Sequence, residues 1–294
     1  MARNVKISVI SQPTIQLPDS SDPEKQVQQM WNYLRGHIEQ VLPDKPDLIV
    51  LPEACDRFLG MSYAERKAYY RYRGNRIRGM LSDLAREQKC YIAYSAIRYL
   101  PEEESSGLPF RNSTQIIGRS GNVVGIYDKN HIMPRELELA DVAYGTQAPV
   151  FDLDFGRVCC AICFDLNYLE LMQRYSVQKP ELILFQSMYH GGFVQKEWAY
   201  NCRAYFASAV ADDLSNILSP LGSTVATTTN YVRHVTKTIN LDYVMAHFDD
   251  NWEKFDAAKQ KYGSLLRLEE PGHVGSLIMT YEGHDTTATD IAKE

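Results

Sequence analysis

Two short apolar segments constrain the fold of this 294-residue chain more than any other feature. Residues 47–51 and 181–186 each form a nearly uninterrupted apolar run, and a Lys-Pro-acidic sequence leads into each. Runs of this kind are typical of strands that are covered on both faces, as in a parallel sheet flanked by helices. The two segments therefore predict an α/β fold.

Further strands and helices alternate with these two segments. Segments rich in β-branched and aromatic residues predict strands at 5–11, 90–96, 113–118, 123–127, 150–153, 157–163, 223–228 and 235–241. The clearest helix is predicted at 23–42, where apolar residues recur from Val27 to Val41 at steps of three and four. Other helical patterns cover 63–88, 168–177, 194–211 and 242–260.

An internal similarity links the two halves of the chain. Residues 45–53 share a pattern with residues 179–187, and residues 91–96 loosely resemble residues 205–210. We infer two related α/β halves in one domain. The alternative is that a Lys-Pro-acidic sequence is a common way of entering an apolar strand. If the halves face each other, we expect Ser187 and Met188 opposite Glu53, at the carboxyl ends of strands.

Composition narrows the classes of partner and the location. The formal net charge of −6 argues against nucleic acid and anionic membranes as partners, because both attract basic surfaces. No apolar run approaches the ~20 residues that span a bilayer, and residues 1–13 are too polar for a signal peptide. We therefore expect a cytoplasmic protein whose six cysteines are buried free thiols. We expect one domain over 1–265 and an extension over 266–294 that is either disordered or an oligomerisation arm.

Two charged residues that follow apolar strands are candidates for chemistry. Glu53 comes directly after one strand, where partial burial can raise the pKa of a carboxyl toward a value useful for a general base. Lys129 follows another strand and could stabilise an oxyanion or a nearby thiolate. Taken alone, each has a plainer interpretation. Glu53 could simply leave the core for water, and Lys129 could belong to a solvated turn.

Cys163 is the third candidate, and it is the last residue of a predicted strand before a predicted helix. A turn from strand to helix exposes a nucleophile and supplies backbone N–H groups for an oxyanion. A helix N-terminus also lowers the pKa of a thiol. The alternative is a small apolar residue that closes a strand.

Together, the three segments resemble the nitrilase superfamily of carbon–nitrogen hydrolases. The resemblance covers residues 5–242 and depends on the order of a glutamate, a lysine and a cysteine, each in a characteristic local sequence. These local sequences are Leu51-Pro52-Glu53, Tyr127-Asp128-Lys129-Asn130-His131-Ile132 and Cys163-Phe164-Asp165. Three motifs in the same order rarely coincide by chance.

The resemblance implies a fold and a mechanism. The expected fold is a four-layer α-β-β-α sandwich, and the expected chemistry needs no cofactor or metal. Cys163 would be the nucleophile and Glu53 the general base, while Lys129 and the backbone N–H of Phe164 would stabilise the oxyanion. A further family glutamate would hold Lys129, and its spacing from Gly145 favours Glu138 over Glu136. Similar proteins form homodimers or larger homo-oligomers, which we expect here.

The residues around the cysteine indicate a substrate class by the same resemblance. Asp165 is the form typical of amidases and carbamoylases, so we expect a small-molecule amide or ureido substrate. Asn167 stands where many members have an arginine, which leaves recognition of a substrate carboxylate open. The expected substrate-binding residues are Phe164, Asp165, Asn167, Ser187, Met188, Tyr189 and His190. Nitrile hydrolysis by the same triad and a catalytically inactive binding protein are the alternatives.

Two other cysteine sites are compatible with the composition. A papain-like pair of Cys163 with His131 or His190 would leave Glu53 and Lys129 unexplained. A zinc site from Cys159, Cys160, Cys163 and His190 is disfavoured, because adjacent strand residues point to opposite faces.

Overall fold

The computed structural model describes residues 1–18, 21–105, 107–272 and 274–294. Its strands are β1 (Asn4–Ile10), β2 (Leu48–Val50), β3 (Tyr91–Tyr99), β4 (Phe110–Ile117), β5 (Val123–Asp128), β6 (Val150–Leu153), β7 (Gly156–Ile162), β8 (Leu182–Ser187), β9 (Tyr205–Val210), β10 (Asn216–Leu218), β11 (Thr224–Thr227), β12 (His234–Asn240), β13 (Tyr243–His247), β14 (Leu266–Glu269) and β15 (Ser276–Tyr281). Its α-helices are α1 (Pro23–Glu39), α2 (Tyr63–Arg73), α3 (Arg76–Gln88), α4 (Glu102–Ser105), α5 (Pro134–Glu138), α6 (Leu169–Gln178), α7 (Val194–Cys202), α8 (Trp252–Tyr262) and α9 (Ala288–Ile291).

Two six-stranded sheets with matching strand orders form the centre of the molecule. The first has the order β12-β1-β2-β3-β4-β5 and the second the order β11-β10-β9-β8-β7-β6. In each sheet three consecutive strands are parallel, β1-β2-β3 in one and β7-β8-β9 in the other, and antiparallel strands flank them. The two-half organisation inferred from the sequence is therefore visible in the topology.

The sheets pack face to face, and helices cover their outer faces. Strands β1 and β2 contact β9 across the interface, and β4 contacts β7. Helices α1, α2 and α3 bury their apolar sides on the first sheet, and α6 and α7 do so on the second. The result is the expected α-β-β-α sandwich. Within the described residues, no helix has both the length and the apolar character needed to cross a bilayer.

Local sequence explains why the central elements form where they do. In α1 the apolar residues Val27, Met30, Leu34 and Ile38 are fully buried, as their spacing predicts. The helix begins after Asp22, whose side chain accepts a hydrogen bond of 3.0 Å from the backbone N–H of Glu24. All three residues of β2 are buried, which agrees with a strand covered on both faces.

Three of the predicted helices were wrong in extent. The helix predicted at 194–211 ends at Cys202, because Arg203 takes a left-handed conformation (φ 53°) and Tyr205–Val210 forms β9. The prediction for 63–88 splits into α2 and α3 at Gly74, whose φ is 47°. The prediction for 242–260 begins with a strand, β13, because residues 243–247 pair with β15.

The described residues between 266 and 294 form strands β14 and β15 and helix α9. Strand β15 pairs with β14 on one side and with β13 on the other, which makes a third sheet. The side chains of Leu266, Leu277, Met279 and Ile291 form a separate apolar cluster with Tyr281. This sheet crosses the expected boundary at residue 265, since β13 precedes it. The expectation of a disordered tail is replaced by two strands and a short helix.

Candidate active site

Three strand ends bring Glu53, Lys129 and Cys163 to one cavity of about 460 Å³. Glu53 lies three residues beyond β2, Lys129 directly follows β5, and Cys163 directly follows β7. Polar, charged and apolar side chains share the lining, namely Thr14, Glu53, Ala54, Arg57, Leu59, Tyr63, Arg66, Tyr70, Ile97, Asn112, Lys129, Met133, Arg135, Glu136, Ala140, Val142, Cys163, Met188 and Asp212. A volume of this size suits a small-molecule ligand.

Lys129 is buried between two carboxylates. Its Nζ atom lies 3.1 Å from Oε1 of Glu53 and 3.0 Å from Oε2 of Glu136, and only 1% of its side chain is exposed. Burial works against the charged ammonium, but Glu53 and Glu136 outweigh it and hold the pKa of Lys129 above its ordinary value. The amine is therefore a fixed cation at neutral pH.

Asn112 orients both carboxylates from the middle of β4. Its Nδ2 atom donates to Oε1 of Glu53 at 2.8 Å and to Oε1 of Glu136 at 3.1 Å. Below Glu53, the buried side chain of Gln186 donates to the backbone oxygens of Leu51 and Ala93 at 2.7 and 3.0 Å. These contacts tie the segment that carries Glu53 to both sheets, so the carboxylate has little freedom to turn.

Cys163 lies at a strained turn between β7 and a short 3₁₀ helix, Cys163–Asn167. Its φ of 49° is unusual for a residue with a side chain. Burial raises the pKa of the Cys163 thiol to about 12, and the Glu53 carboxylate adds to the shift, while Lys129 opposes it. The sequence favoured a thiol pKa lowered by a helix N-terminus, whereas burial first, and then Glu53, act in the opposite direction here.

The Asp165 carboxylate holds this turn in place by accepting buried hydrogen bonds. Its Oδ2 accepts hydrogen bonds from Tyr127 Oη (2.6 Å) and from the backbone N–H of Ile162 (3.0 Å). Its Oδ1 accepts one from the backbone N–H of His131 (2.8 Å) and lies 3.0 Å from His131 Nδ1. The side chain is fully buried and does not line the cavity. The expectation that Asp165 binds substrate is therefore corrected, because the side chain instead holds the backbone around Cys163 in place.

The expectation about the glutamate that holds Lys129 also needs correction. Glu136 makes this contact, and it also accepts a hydrogen bond of 2.8 Å from the backbone N–H of Met133. Glu138 is exposed to solvent at the end of α5 and lies outside the cavity. Two positions along a helix differ by ~200° in direction, so only one of the two glutamates can face Lys129.

The other expected substrate-binding residues fall into three groups. Met188 lines the cavity, and its contact with substrate stays a prediction. Tyr189 is not part of the cavity lining, and burial first, and then Cys163, raise its pKa to about 12. Phe164 and the exposed Asn167 lie beside the cavity lining, and Asn167 donates to Tyr189 Oη at 2.9 Å. Contact of Phe164, Asn167 and Tyr189 with substrate stays a prediction.

Ser187 and His190 are engaged within the protein. The buried hydroxyl of Ser187 donates to the backbone oxygen of Tyr189 at 2.7 Å. The His190 ring accepts a hydrogen bond from Gly192 N–H through Nδ1, and its Nε2 lies 3.0 Å from Asn216 Nδ2. Neither residue lines the cavity, so both support the loop that carries Met188.

The competing cysteine sites do not match the geometry. His131 interacts with Asp165 and Glu170 through its two ring nitrogens and stacks on Tyr168 at 3.6 Å. His190 has the partners given above, so neither histidine is paired with Cys163. No group of three or more potential metal-binding side chains forms within the described ranges.

Four residues of the site were missed by the sequence analysis. Asn112 carried no signal of its own, because it lies in a polar run just before the strand predicted at 113–118. Glu136 was considered and set aside on spacing. Arg57 and Arg66 carried no signal in the sequence, because an arginine after a strand or in a helix is normally a surface residue.

Comparison with known proteins identifies the family. Residues 11–211 match the sequence profile of the carbon-nitrogen hydrolase family. This chain belongs to that family. This assignment confirms the resemblance found in the sequence. The cavity is therefore interpreted as the candidate active site of a carbon–nitrogen hydrolase.

Relatives of this carbon–nitrogen hydrolase are distant in sequence. The omega-amidase NIT2 of Xenopus tropicalis is 23% identical over 261 residues, which cover 79% of this chain and 89% of that protein. The C. elegans NitFhit protein has the same fold, with a TM-score of 0.67 and 22% identity over 81% of this chain and 61% of the NitFhit chain.

A third similar protein is an amidase from Nesterenkonia sp. AN1, with a TM-score of 0.63 and 17% identity over 80% of this chain and 89% of that chain. One of its solved structures is a glutamate-to-glutamine mutant in which the acetamide moiety of fluoroacetamide is attached to the active-site cysteine.

Proposed function

We propose that this carbon–nitrogen hydrolase cleaves a small amide or N-carbamoyl compound through a thioester on Cys163. The observation that carries the proposal is the convergence of the Cys163 thiol, the Glu53 carboxylate and the buried Lys129 ammonium at one cavity. The family assignment supports hydrolysis of a carbon–nitrogen bond. The cysteine adduct in the Nesterenkonia amidase is consistent with the same kind of nucleophile here.

In the first half-reaction, Cys163 Sγ attacks the carbonyl carbon while its proton passes to Glu53. A general base is needed because a thiol with a pKa of about 12 is neutral at physiological pH. The oxyanion forms next to Lys129 and the backbone N–H of Phe164. This N–H is in the first turn of a 3₁₀ helix, where amides lack acceptors in their own helix. Glu53 then returns the proton to the departing ammonia or amine as the carbon–nitrogen bond breaks.

In the second half-reaction, water attacks the thioester carbonyl and gives a proton to Glu53. The carbon–sulfur bond then breaks, the acid product leaves, and the proton returns to the sulfur of Cys163. The same carboxylate therefore serves first as base and then as acid in each half-reaction. Asn112 and Lys129 both contact Oε1 of Glu53, which supports this role by fixing the carboxylate beside the thiol.

Ammonia release tests the proposal. The panel contains short aliphatic amides, N-carbamoyl amines and the matching nitriles, with the Cys163→Ala variant as control. We expect turnover of amides or carbamoyl compounds in excess of nitriles, and loss of turnover in a folded Cys163→Ala protein. Nitrile turnover above amide turnover would overturn the substrate class, and activity retained in Cys163→Ala would overturn the mechanism.

A further inference from the structure

A buried ion pair lies close to Glu53 and takes no part in the proposed chemistry. Arg73 Nη1 is 3.1 Å from Oδ2 of Asp56, and only 2% and 0% of the two side chains are exposed. Among the ion pairs of the described residues, only this one and Lys129–Glu53 have both side chains almost completely buried. Neither Asp56 nor Arg73 lines the cavity, so substrate contact does not explain the pair.

The pair belongs to a network that joins α2, β3 and the segment after β2. Tyr94 in β3 donates its hydroxyl to Oδ2 of Asp56 and accepts a hydrogen bond of 2.9 Å from Arg73 Nη1. Arg73, the last residue of α2, also donates to the backbone oxygen of Ile97. Burial works against the charged guanidinium, but Asp56 and Tyr94 outweigh it and hold the pKa of Arg73 above its ordinary value. Arg73 is therefore a fixed cation at neutral pH.

The Asp56 carboxylate lies at the end of the turn that begins with Glu53. Ala54 directly follows Glu53 and is buried in a left-handed conformation (φ 45°), which is unusual for a residue with a side chain. The backbone N–H of Arg57 donates to the oxygen of Ala54 at 3.0 Å, so the turn closes around Asp56. A strained conformation of this kind persists only where the surrounding contacts hold it.

Stability alone is a poor explanation for the pair. The attraction between two buried charges roughly offsets the loss of their hydration, so apolar residues of similar volume would stabilise the fold at least as well. Oδ1 of Asp56 and Nε of Arg73 are also buried without a hydrogen-bond partner among the described residues, which adds to the cost. What an ion pair does supply is direction, because the carboxylate is satisfied only where Arg73 and Tyr94 meet it.

We propose that Asp56 and Arg73 are positioning residues for the proposed general base. Their ion pair holds the turn after β2 in the conformation that keeps the Glu53 carboxylate beside Lys129 and the thiol. The inference rests on the proposed function for its kinetic readout. Because the pair lies outside the cavity lining, we expect it to act on the chemical step and not on substrate affinity.

A pair of variants separates positioning from a purely structural role. Asp56→Asn leaves the buried Arg73 without its charged partner, so stability in urea should fall and kcat should fall at least tenfold, with KM within about twofold. Adding Arg73→Met removes the unpaired charge, so stability should recover while kcat stays low. Recovery of kcat together with stability, or an unchanged kcat in Asp56→Asn, overturns the inference.

A double-mutant cycle asks whether the pair acts through Glu53. Asn112 orients the same carboxylate from β4. If Glu53 is already misplaced in Asp56→Asn, adding Asn112→Ala should cost little more. The combined loss in kcat should then be at least threefold smaller than the product of the single losses. Losses that multiply overturn the inference.

Asn240→Ala is the control for this cycle. It removes a buried hydrogen bond of 2.9 Å to the backbone oxygen of Tyr281, in the third sheet. This variant should lower stability and leave kcat unchanged, and it should leave the effect of Asn112→Ala unchanged as well. A loss of kcat in Asn240→Ala as large as in Asp56→Asn would show that any destabilisation slows the enzyme, which overturns the inference.

A crystal structure of Asp56→Asn separates this inference from the proposed function, because it needs no substrate. We expect the Glu53 carboxylate to lose its contact with Asn112 or with Lys129. If Glu53 moves in this way but the wild type hydrolyses no amide or N-carbamoyl compound, the positioning role stands and the proposed function fails. If Glu53 keeps its wild-type position, the inference is overturned whatever the enzyme hydrolyses.

Discussion

Asn112 donates a hydrogen bond of 2.8 Å to Oε1 of Glu53, the same oxygen that Lys129 contacts at 3.1 Å. Two donors on one oxygen fix the plane of the carboxylate. A hydrogen bond to a charged group contributes about 1.5–3 kcal/mol, which corresponds to a rate factor of roughly 10 to 100. Asn112 is thus a positioning residue for the proposed general base.

Replacement of Asn112 tests this positioning. We expect Asn112→Ala to lower kcat about 10- to 100-fold with little change in KM, because the carboxylate loses its orientation but the outer cavity is intact. Asn32→Ala, an exposed asparagine of α1, is the control. A change in KM alone would argue against a role in orienting Glu53.

The two glutamates of α5 offer a matched pair. Glu136→Gln removes one of the two carboxylates beside the buried Lys129 ammonium, so we expect at least a tenfold loss in kcat and about 1–3 kcal/mol of stability. Glu138→Gln changes an exposed residue and should alter stability by less than about 0.5 kcal/mol. Urea unfolding and steady-state kinetics measure both. The reverse pattern would restore the assignment of Glu138 from the sequence.

We expect Asp165 to contribute to the free energy of unfolding rather than to substrate binding. In Asp165→Ala, the backbone N–H groups of Ile162 and His131 and the Tyr127 hydroxyl lose a buried acceptor. We expect a loss of at least about 3 kcal/mol, since each buried unsatisfied donor costs roughly 1–3 kcal/mol. Asp152→Ala, at a side chain that is 83% exposed, is the control in urea unfolding. Unchanged stability with altered substrate preference would instead indicate a pocket role.

The elements predicted correctly from the sequence are those with strong local patterns. Buried β2, amphipathic α1 and the strand ends that carry Glu53, Lys129 and Cys163 follow from runs of neighbouring residues. Strand β9 was assigned to a helix because its small and aromatic residues directly follow α7. Its similarity to β3, noted in the sequence, was the better guide. Strand β13 depends on pairing with β15, whose partner residues lie 29 to 37 positions further along the chain, and no local pattern reveals this pairing.

The rest of the site depends on contacts between distant segments. Asn112 reaches Glu53 only because β4 pairs with β3 in the register that the sheet adopts. The residue at which α5 begins sets the direction in which the Glu136 side chain points. If the helix began two residues later, Glu138 would face Lys129 instead. The high thiol pKa of Cys163 arises from burial in the assembled cavity, which the strand-to-helix motif alone does not reveal.

The pKa of Cys163 gives a prediction about pH. A free cysteine ionises with a pKa of about 8.5, whereas burial first, and then Glu53, raises that of Cys163 to about 12. The thiolate fraction rises with pH toward that value, so it should stay small between about pH 7 and pH 10. We measure the ultraviolet absorbance of the thiolate as the difference between wild type and Cys163→Ala. A full one-thiolate step centred at or below about pH 8.5 would contradict the described environment.

The central claim is a covalent thioester on Cys163, and mass spectrometry of a trapped intermediate tests it most directly. Wild-type protein is mixed with an amide that it hydrolyses and is quenched with acid during steady-state turnover, which stops hydrolysis of the thioester before the masses are measured. We expect a mass increase equal to the acyl group, located on the peptide that contains Cys163 and absent from Cys163→Ala protein treated in the same way. Wild-type turnover with no acyl group on Cys163, together with ammonia release retained in Cys163→Ala, would contradict it.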